Sequence, residues 1–295
     1  MLLGANIILP FEQIRVLIAI LGVAVGSYFD LFNNKNVPEL FLYTFLAVAF
    51  VANLAAFDST LSIYAMGTAV VVFGIFYVLY KLGQLGGADV YLLSSIALLI
   101  PVQPQFSPFL TPAFLPELPF MLNVILASGL SLMFYMLLRS VPIAFEKIKE
   151  PQKIEKKSLL GSVAIVIVFG AFSFIALQSG LVPRSYYVFM SLMVILAVYF
   201  TLFKEALNNS MIAWVDYKHV EPEDIIAVDK MDKSIVEKYK LKRLVDASMY
   251  GRMKKIHGKK IALYKHLPPF IPHLLIGLVF SVLFGNVILF FTNFF

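Results

Sequence analysis

The feature that most constrains this chain is a succession of uninterrupted apolar runs, each close to the roughly 20 residues a helix needs to cross a bilayer. They fall near 12–30, 38–57, 60–80, 86–103, 119–139, 158–178, 184–204 and 269–293. Turn residues and charge separate them: Asn33-Asn34-Lys35-Asn36, Asp58-Ser59, Lys81 to Gly87, the proline-rich stretch 101–119 and the lysine-rich stretch 140–157. Lipid offers no partner for a backbone N–H or C=O, so runs of this kind are expected to be helices. Composition supports that reading. Charged residues make up 14% of the chain and hydrophobic ones 60%, against about 25% charged in soluble domains. The expected fold class is an all-α polytopic membrane protein with about eight transmembrane helices and a small cytoplasmic domain before the last helix. The first run lacks a basic n-region and a small-residue cleavage site, so it reads as a retained span.

Loops between consecutive spans alternate sides, and basic residues collect on the cytoplasmic side. If the loop after the first span is cytoplasmic, 22 of the 24 Lys and Arg residues lie on that side; Arg15 and Arg184 are the exceptions. Both termini are then outside and the protein is a multi-pass component of the cell membrane. Four segments follow: a membrane core over 1–140, further spans with a basic cytoplasmic loop over 141–204, a cytoplasmic accessory domain over 205–268 and a final span over 269–295. The accessory domain mixes charges of both signs, with a short strand expected around Asp224 to Val228 and a helix near 233–249. At about 60 residues it is expected to have little core of its own. The basic cluster at 252–265 reads as a lipid-headgroup anchor, which makes membrane lipids a partner and nucleic acid not one. With no cysteine and four scattered histidines, no metal site or other cofactor is expected.

Carboxylates are rare among the apolar runs, which makes Asp30 and Asp89 conspicuous. Asp30 closes the first span and Asp89 opens the fourth, so the alternation places both at the cytoplasmic boundary. An ionisable group at that depth marks a functional site by default. Two carboxyls sharing a water are sufficient for peptide hydrolysis: the ionised one takes a proton from water, and the protonated one polarises the scissile carbonyl. Asp89 stands at a helix N-terminus and Asp30 at a C-terminus, which favours Asp89 as base and Asp30 as acid. An alternative reading makes Asp89 a helix cap and Asp30 a solvated span end. Ser27 and Tyr28 are candidate donors to Asp30. Gly83, Gly86 and Gly87 would either let a substrate backbone approach or simply form a turn.

The flanking residues resemble the type IV prepilin peptidases, in particular their archaeal preflagellin peptidase branch. That family has an aspartate at the end of its first helix, followed after six residues by a hydrophobic residue and proline; here these are Asp30, Val37 and Pro38. Its second element is a Gly-x-Gly-Asp motif, relaxed in archaeal members to Gly-x-hydrophobic-Asp, and this chain reads Gly86-Gly87-Ala88-Asp89. Glu39 replaces the asparagine that commonly follows the proline, and Ala88 replaces the third glycine. The resemblance covers about residues 12–140. It implies an aspartic endopeptidase with Asp30 and Asp89 as catalytic pair and Gly86, Gly87, Ala88, Val37 and Pro38 as supporting motif residues. The implied substrates are preflagellins or prepilins carrying short basic leader peptides. Two other functions remain open at this stage: an ion-coupled transporter using both aspartates as ligands, and a presenilin-type intramembrane protease.

Overall fold

The computed structural model describes residues 9–33, 36–55, 58–105, 119–149, 155–179, 184–253, 260–286 and 290. Most of the proline-rich stretch 101–119, Lys35, part of the lysine-rich stretch 140–157 and the Lys254, Lys255 and Lys259 positions of the basic cluster lie outside them. A helix occupies each of the eight apolar runs: α1 (Glu12–Phe32), α2 (Glu39–Leu54), α3 (Ser59–Lys81), α4 (Gly87–Leu99), α5 (Phe120–Lys149), α6 (Lys156–Ser179), α7 (Arg184–Leu202) and, after α8 (Lys204–Met211), α9 (Lys233–Tyr239) and α10 (Ala247–Met253), α11 (Ile271–Phe284). The protein is thus mostly helical.

Among the described residues, four helices are long and apolar enough to cross a membrane, in α1, α3, α5 and α6. A fifth crossing arises if Phe189–Leu202 and Lys204–Met211, bent by 66°, count as one broken span. The other three are apolar but short: 16 residues in α2, 13 in α4 and 14 in α11. Local chemistry ends α4 before its apolar run does. Pro101 follows Ile100, which leaves the helix at φ −130° and ψ 74°, as a residue before proline tends to. Gly285 takes φ +70° directly after α11, a conformation that terminates helices. In the opposite direction, α5 runs through Pro142 to Lys149, so the expected loop from 140 begins as helix.

The chain divides into two compact units. One contains Val102–Asn208 and Pro272–Phe295. In it Gly277 of α11 meets the backbone of Ser128 on α5 so closely that an added Cβ would stand 2.8 Å from Ser128 Cα. Ser131 Oγ and His273 Nδ1 hydrogen-bond at 2.9 Å in the same helix pair, while Ser140 Oγ bonds the Tyr199 hydroxyl at 2.7 Å between α5 and α7.

The other unit contains Gln13–Pro101 and Asn209–Ile271. Its α4 is apolar all round and buried along almost its whole length, with Leu92, Leu93, Ile96 and Leu99 fully sealed. A helix with no polar face belongs inside a bundle, and α4 packs against α2 and α3. On α1, Gly22 sits under the Phe45 ring of α2, where any Cβ would collide with the ring. Arg15, expected near a membrane surface, is instead buried at 1% exposure. Its guanidinium donates to Ala52 O at 2.6 Å and to Leu99 O at 3.2 Å. Those carbonyls belong to the last turns of α2 and α4, where helices run out of internal donors and carry their negative dipole ends. One cation therefore ties three helices together.

Residues 212–266 of the same unit form a polar domain with a core of its own, contrary to the expectation from its length. Strands β1 (Ala213–Val215) and β2 (Ile261–Leu263) pair antiparallel. Ile226, Met249, Met253, Ile261 and Leu263 are fully buried among them. The strand expected over Asp224–Val228 reduces to two bridges, Ile225 with Leu244 and Ile226 with Leu263, because the chain turns into a 3-10 segment at Val228–Lys230. The helix expected over 233–249 is two short helices. Lys240 adopts φ +48° and ends α9, freeing Leu244 to bridge Ile225. Asp246 then restarts helix α10, accepting from the Ser248 hydroxyl at 2.6 Å and from Met249 N–H at 2.7 Å.

These two donors, the hydroxyl first, hold the Asp246 carboxyl below its ordinary pKa. A carboxylate depressed in the folded state stabilises above its unfolded pKa and loses that contribution as pH falls through the folded value. Protection of the Met249 amide, its exchange rate set against the intrinsic rate at each pH, is therefore expected to fall on acidification through and below the ordinary carboxylate range. Asp246→Asn keeps an acceptor and should remove that step.

Candidate active site

Asp30 lies in the last turn of α1 and Asp89 in the first turn of α4, both almost fully buried at 8% and 5% exposure. Packing three to four residues away brings these two helices together. Gly26, one turn before Asp30 on the same face, leaves room for Leu92, one turn after Asp89: a Cβ on Gly26 would stand 3.0 Å from Leu92 Cδ1 and 3.4 Å from Ile271 Cγ2. α1, α4 and the start of α11 thus converge where the two carboxylates sit.

Each carboxylate accepts a backbone N–H. Asp89 is the third residue of α4, and its Oδ2 reaches back to Gly86 N–H at 3.0 Å; the residue is a helix cap in geometry as well as a buried acid. Asp30 Oδ2 accepts Ile271 N–H at 3.1 Å. Ile271 opens α11 and is followed by Pro272, so its N–H is one of the few donors this helix start has to place. Asp89 thus stands in the first turn of α4 and Asp30 in the last turn of α1, each with one backbone N–H on its carboxylate. The Asp30 partner comes from 241 residues away. Its only local trace is the proline-framed helix start Pro268-Pro269-Phe270-Ile271-Pro272.

The supporting motif residues take distinct places. Val37 is buried, and Pro38 precedes the first residue of α2 with φ −59°. Gly86 caps α4 at φ −76°, a conformation open to any residue, but a Cβ there would stand 3.3 Å from Asp89 Oδ2. Its requirement is space beside the carboxylate. Gly87 has ordinary clearance, with Tyr80 and Glu223 over it at 3.5 and 3.7 Å from an added Cβ. Ala88 is half-buried in the same turn. Gly83 is a conformational glycine: at φ +66° its N–H bonds Tyr80 O at 2.8 Å and Gln84 N–H bonds Leu79 O at 3.0 Å, the paired closure of a helix end. Of the candidate donors to Asp30, Ser27 Oγ is buried without a hydrogen-bond partner. Tyr28 is 60% exposed, its ring against Phe29 and Phe32.

Apolar helices that could cross a membrane, with two buried carboxylates in one of the chain's units, define the class as a helical membrane protein. Residues 16–138 match the sequence model of the type IV leader peptidase family. The matched stretch runs from α1 into α5 and includes both aspartates. No curated protein and no solved structure matches the chain significantly.

Proposed function

We propose that this protein is a membrane aspartic endopeptidase that removes leader peptides from prepilin-like precursors, preflagellins among them, with Asp30 and Asp89 as the catalytic pair. The observation that carries the reading is the match of residues 16–138 to type IV leader peptidases over a stretch holding two buried carboxylates. In the proposed reaction a water lies between them. The ionised carboxylate takes a proton from it, the protonated one donates to the scissile carbonyl oxygen, and the resulting diol collapses with proton transfer to the leaving amine.

The reading extends to topology. The apolar runs would make eight crossings, α2, α4 and α11 among them, with both termini outside. The site would then face the cytoplasm, where a basic leader precedes the substrate's hydrophobic helix. The segments 1–140, 141–204, 205–268 and 269–295 would serve as catalytic core, additional spans, accessory domain and final span, and anionic lipids would hold the basic cluster at 252–265.

The full-length protein in lipid vesicles, mixed with an archaeal preflagellin, is expected to yield a single product whose new N-terminus lies just before the hydrophobic helix. Failure to cut any leader-bearing precursor would sink the proposal.

A further inference from the structure

The polar domain meets the α3–α4 turn at two points. Tyr80, in the last turn of α3, donates its hydroxyl to Glu223 Oε1 at 2.9 Å. The Glu223 carboxylate and the Tyr80 ring lie over Gly87, two residues before Asp89. On the other side of the turn Gly83 carries the Arg243 stem, 3.2 Å from where a Cβ would be. Between these contacts stands Gly86, whose N–H holds Asp89.

Glu223 reaches this position at a conformational cost. It adopts φ +72°, a region that a residue with a Cβ occupies only when its surroundings impose it. Those surroundings are a ladder of backbone bonds: Glu223 N–H to Val245 O at 2.9 Å, Val245 N–H to Asp224 O at 3.0 Å and Ile226 N–H to Arg243 O at 2.7 Å. Asp224 Oδ2 closes the loop by accepting Glu221 N–H at 2.8 Å. The same ladder thus presents both Glu223 and Arg243. Glycine would relieve the backbone at 223, but glycine has no carboxylate to offer Tyr80.

From this juxtaposition we infer that Glu223 is a positioning residue for Asp89: through Tyr80 and Gly87 it holds the α3–α4 turn so that Gly86 N–H keeps the carboxylate aimed. The polar domain is then a working part of the site although it lies outside the stretch matched to leader peptidases. The inference rests on the proposed peptidase reading for its activity readout only.

The test uses full-length protein in lipid vesicles with a preflagellin substrate. Glu223→Gly and Tyr80→Phe are each expected to lower kcat by roughly 10- to 100-fold with KM changed by less than about twofold. The double variant should be no slower than the slower single one, because both remove one contact. Glu223→Gln keeps an acceptor oxygen and should recover most of kcat. The unfolding temperature of Glu223→Gly should not fall below that of Glu223→Ala, since glycine accepts the left-handed backbone. Unchanged kcat in Glu223→Gly and Tyr80→Phe, or a loss of kcat that follows the unfolding temperature, would overturn the inference. If the wild-type protein cuts no precursor, the peptidase reading fails instead, and amide exchange at Gly86 decides this one. Faster exchange in Glu223→Gly supports it, and unchanged exchange overturns it.

Discussion

Asp30→Asn and Asp89→Asn should each lower preflagellin cleavage by roughly 10²- to 10⁴-fold or more while the protein stays folded. Asparagine is close to isosteric, and its carbonyl oxygen can still accept Ile271 N–H at position 30 or Gly86 N–H at position 89. What it cannot do is take a proton from water or carry one to the substrate. Alanine confounds the two effects, since it also strands a donor at a cost of about 1–3 kcal/mol where that donor is buried. The double asparagine variant is expected to be about as inactive as either single one, because a pair acting as one unit is lost once. Cleavage within a few-fold of wild type in either single variant would remove that carboxylate from the chemistry.

Arg15→Leu has the largest expected effect on stability. The guanidinium donates to carbonyls in two different helices, and bonds to a charged group contribute about 1.5–3 kcal/mol each, so a loss of about 3–5 kcal/mol is expected. The opposing effect is relief of a buried cation whose hydrogen bonds here run to two carbonyls, which by itself would favour leucine. The loss wins because Leu99 O and Ala52 O lie at helix C-termini, where the dipole already favours a cation, and leucine leaves them facing hydrocarbon. Arg15→Lys should recover part of the difference, since an ammonium reaches either carbonyl but lacks the fork that spans both. Thermal unfolding followed by helical dichroism measures this. Equal stability of Arg15→Leu and wild type would show that the clasp contributes nothing.

The helices were legible in the sequence to within a few residues because what makes them is local. Apolar length defined α1, α3 and α6. Gly83 marked the end of α3, and Asp58 capped its start, accepting from Thr60 and Leu61 N–H. The fourth apolar run outlasts its helix because such a run records tolerance for lipid, whereas a helix stops where its backbone must turn, at Ile100-Pro101. In the polar domain the helix pattern over 233–249 was real on both sides of Lys240. Nothing in that residue type announces a positive φ; the bridge between Leu244 and Ile225 calls for the turn.

Asp30 and Asp89 could be singled out from the sequence alone, because a carboxylate among apolar residues is costly enough to be noticed wherever the chain goes. Their surroundings could not. Gly26 against Leu92, Ile271 N–H on Asp30 and Glu223 on Tyr80 join segments 66, 241 and 143 residues apart. Contacts across such separations leave no periodicity and no motif. Arg15 makes the same point in reverse: in the sequence it is only an exception to the charge count at a span end, and the carbonyls of α2 and α4 are what hold it buried. The sequence by itself determined a helical membrane protein with two exceptional acids, since hydrophobicity and charge act residue by residue. Tertiary structure alone decided that both acids are buried, which backbone groups they accept from and which distant glutamate reaches the α3–α4 turn, since those depend on helix surfaces fitting one another.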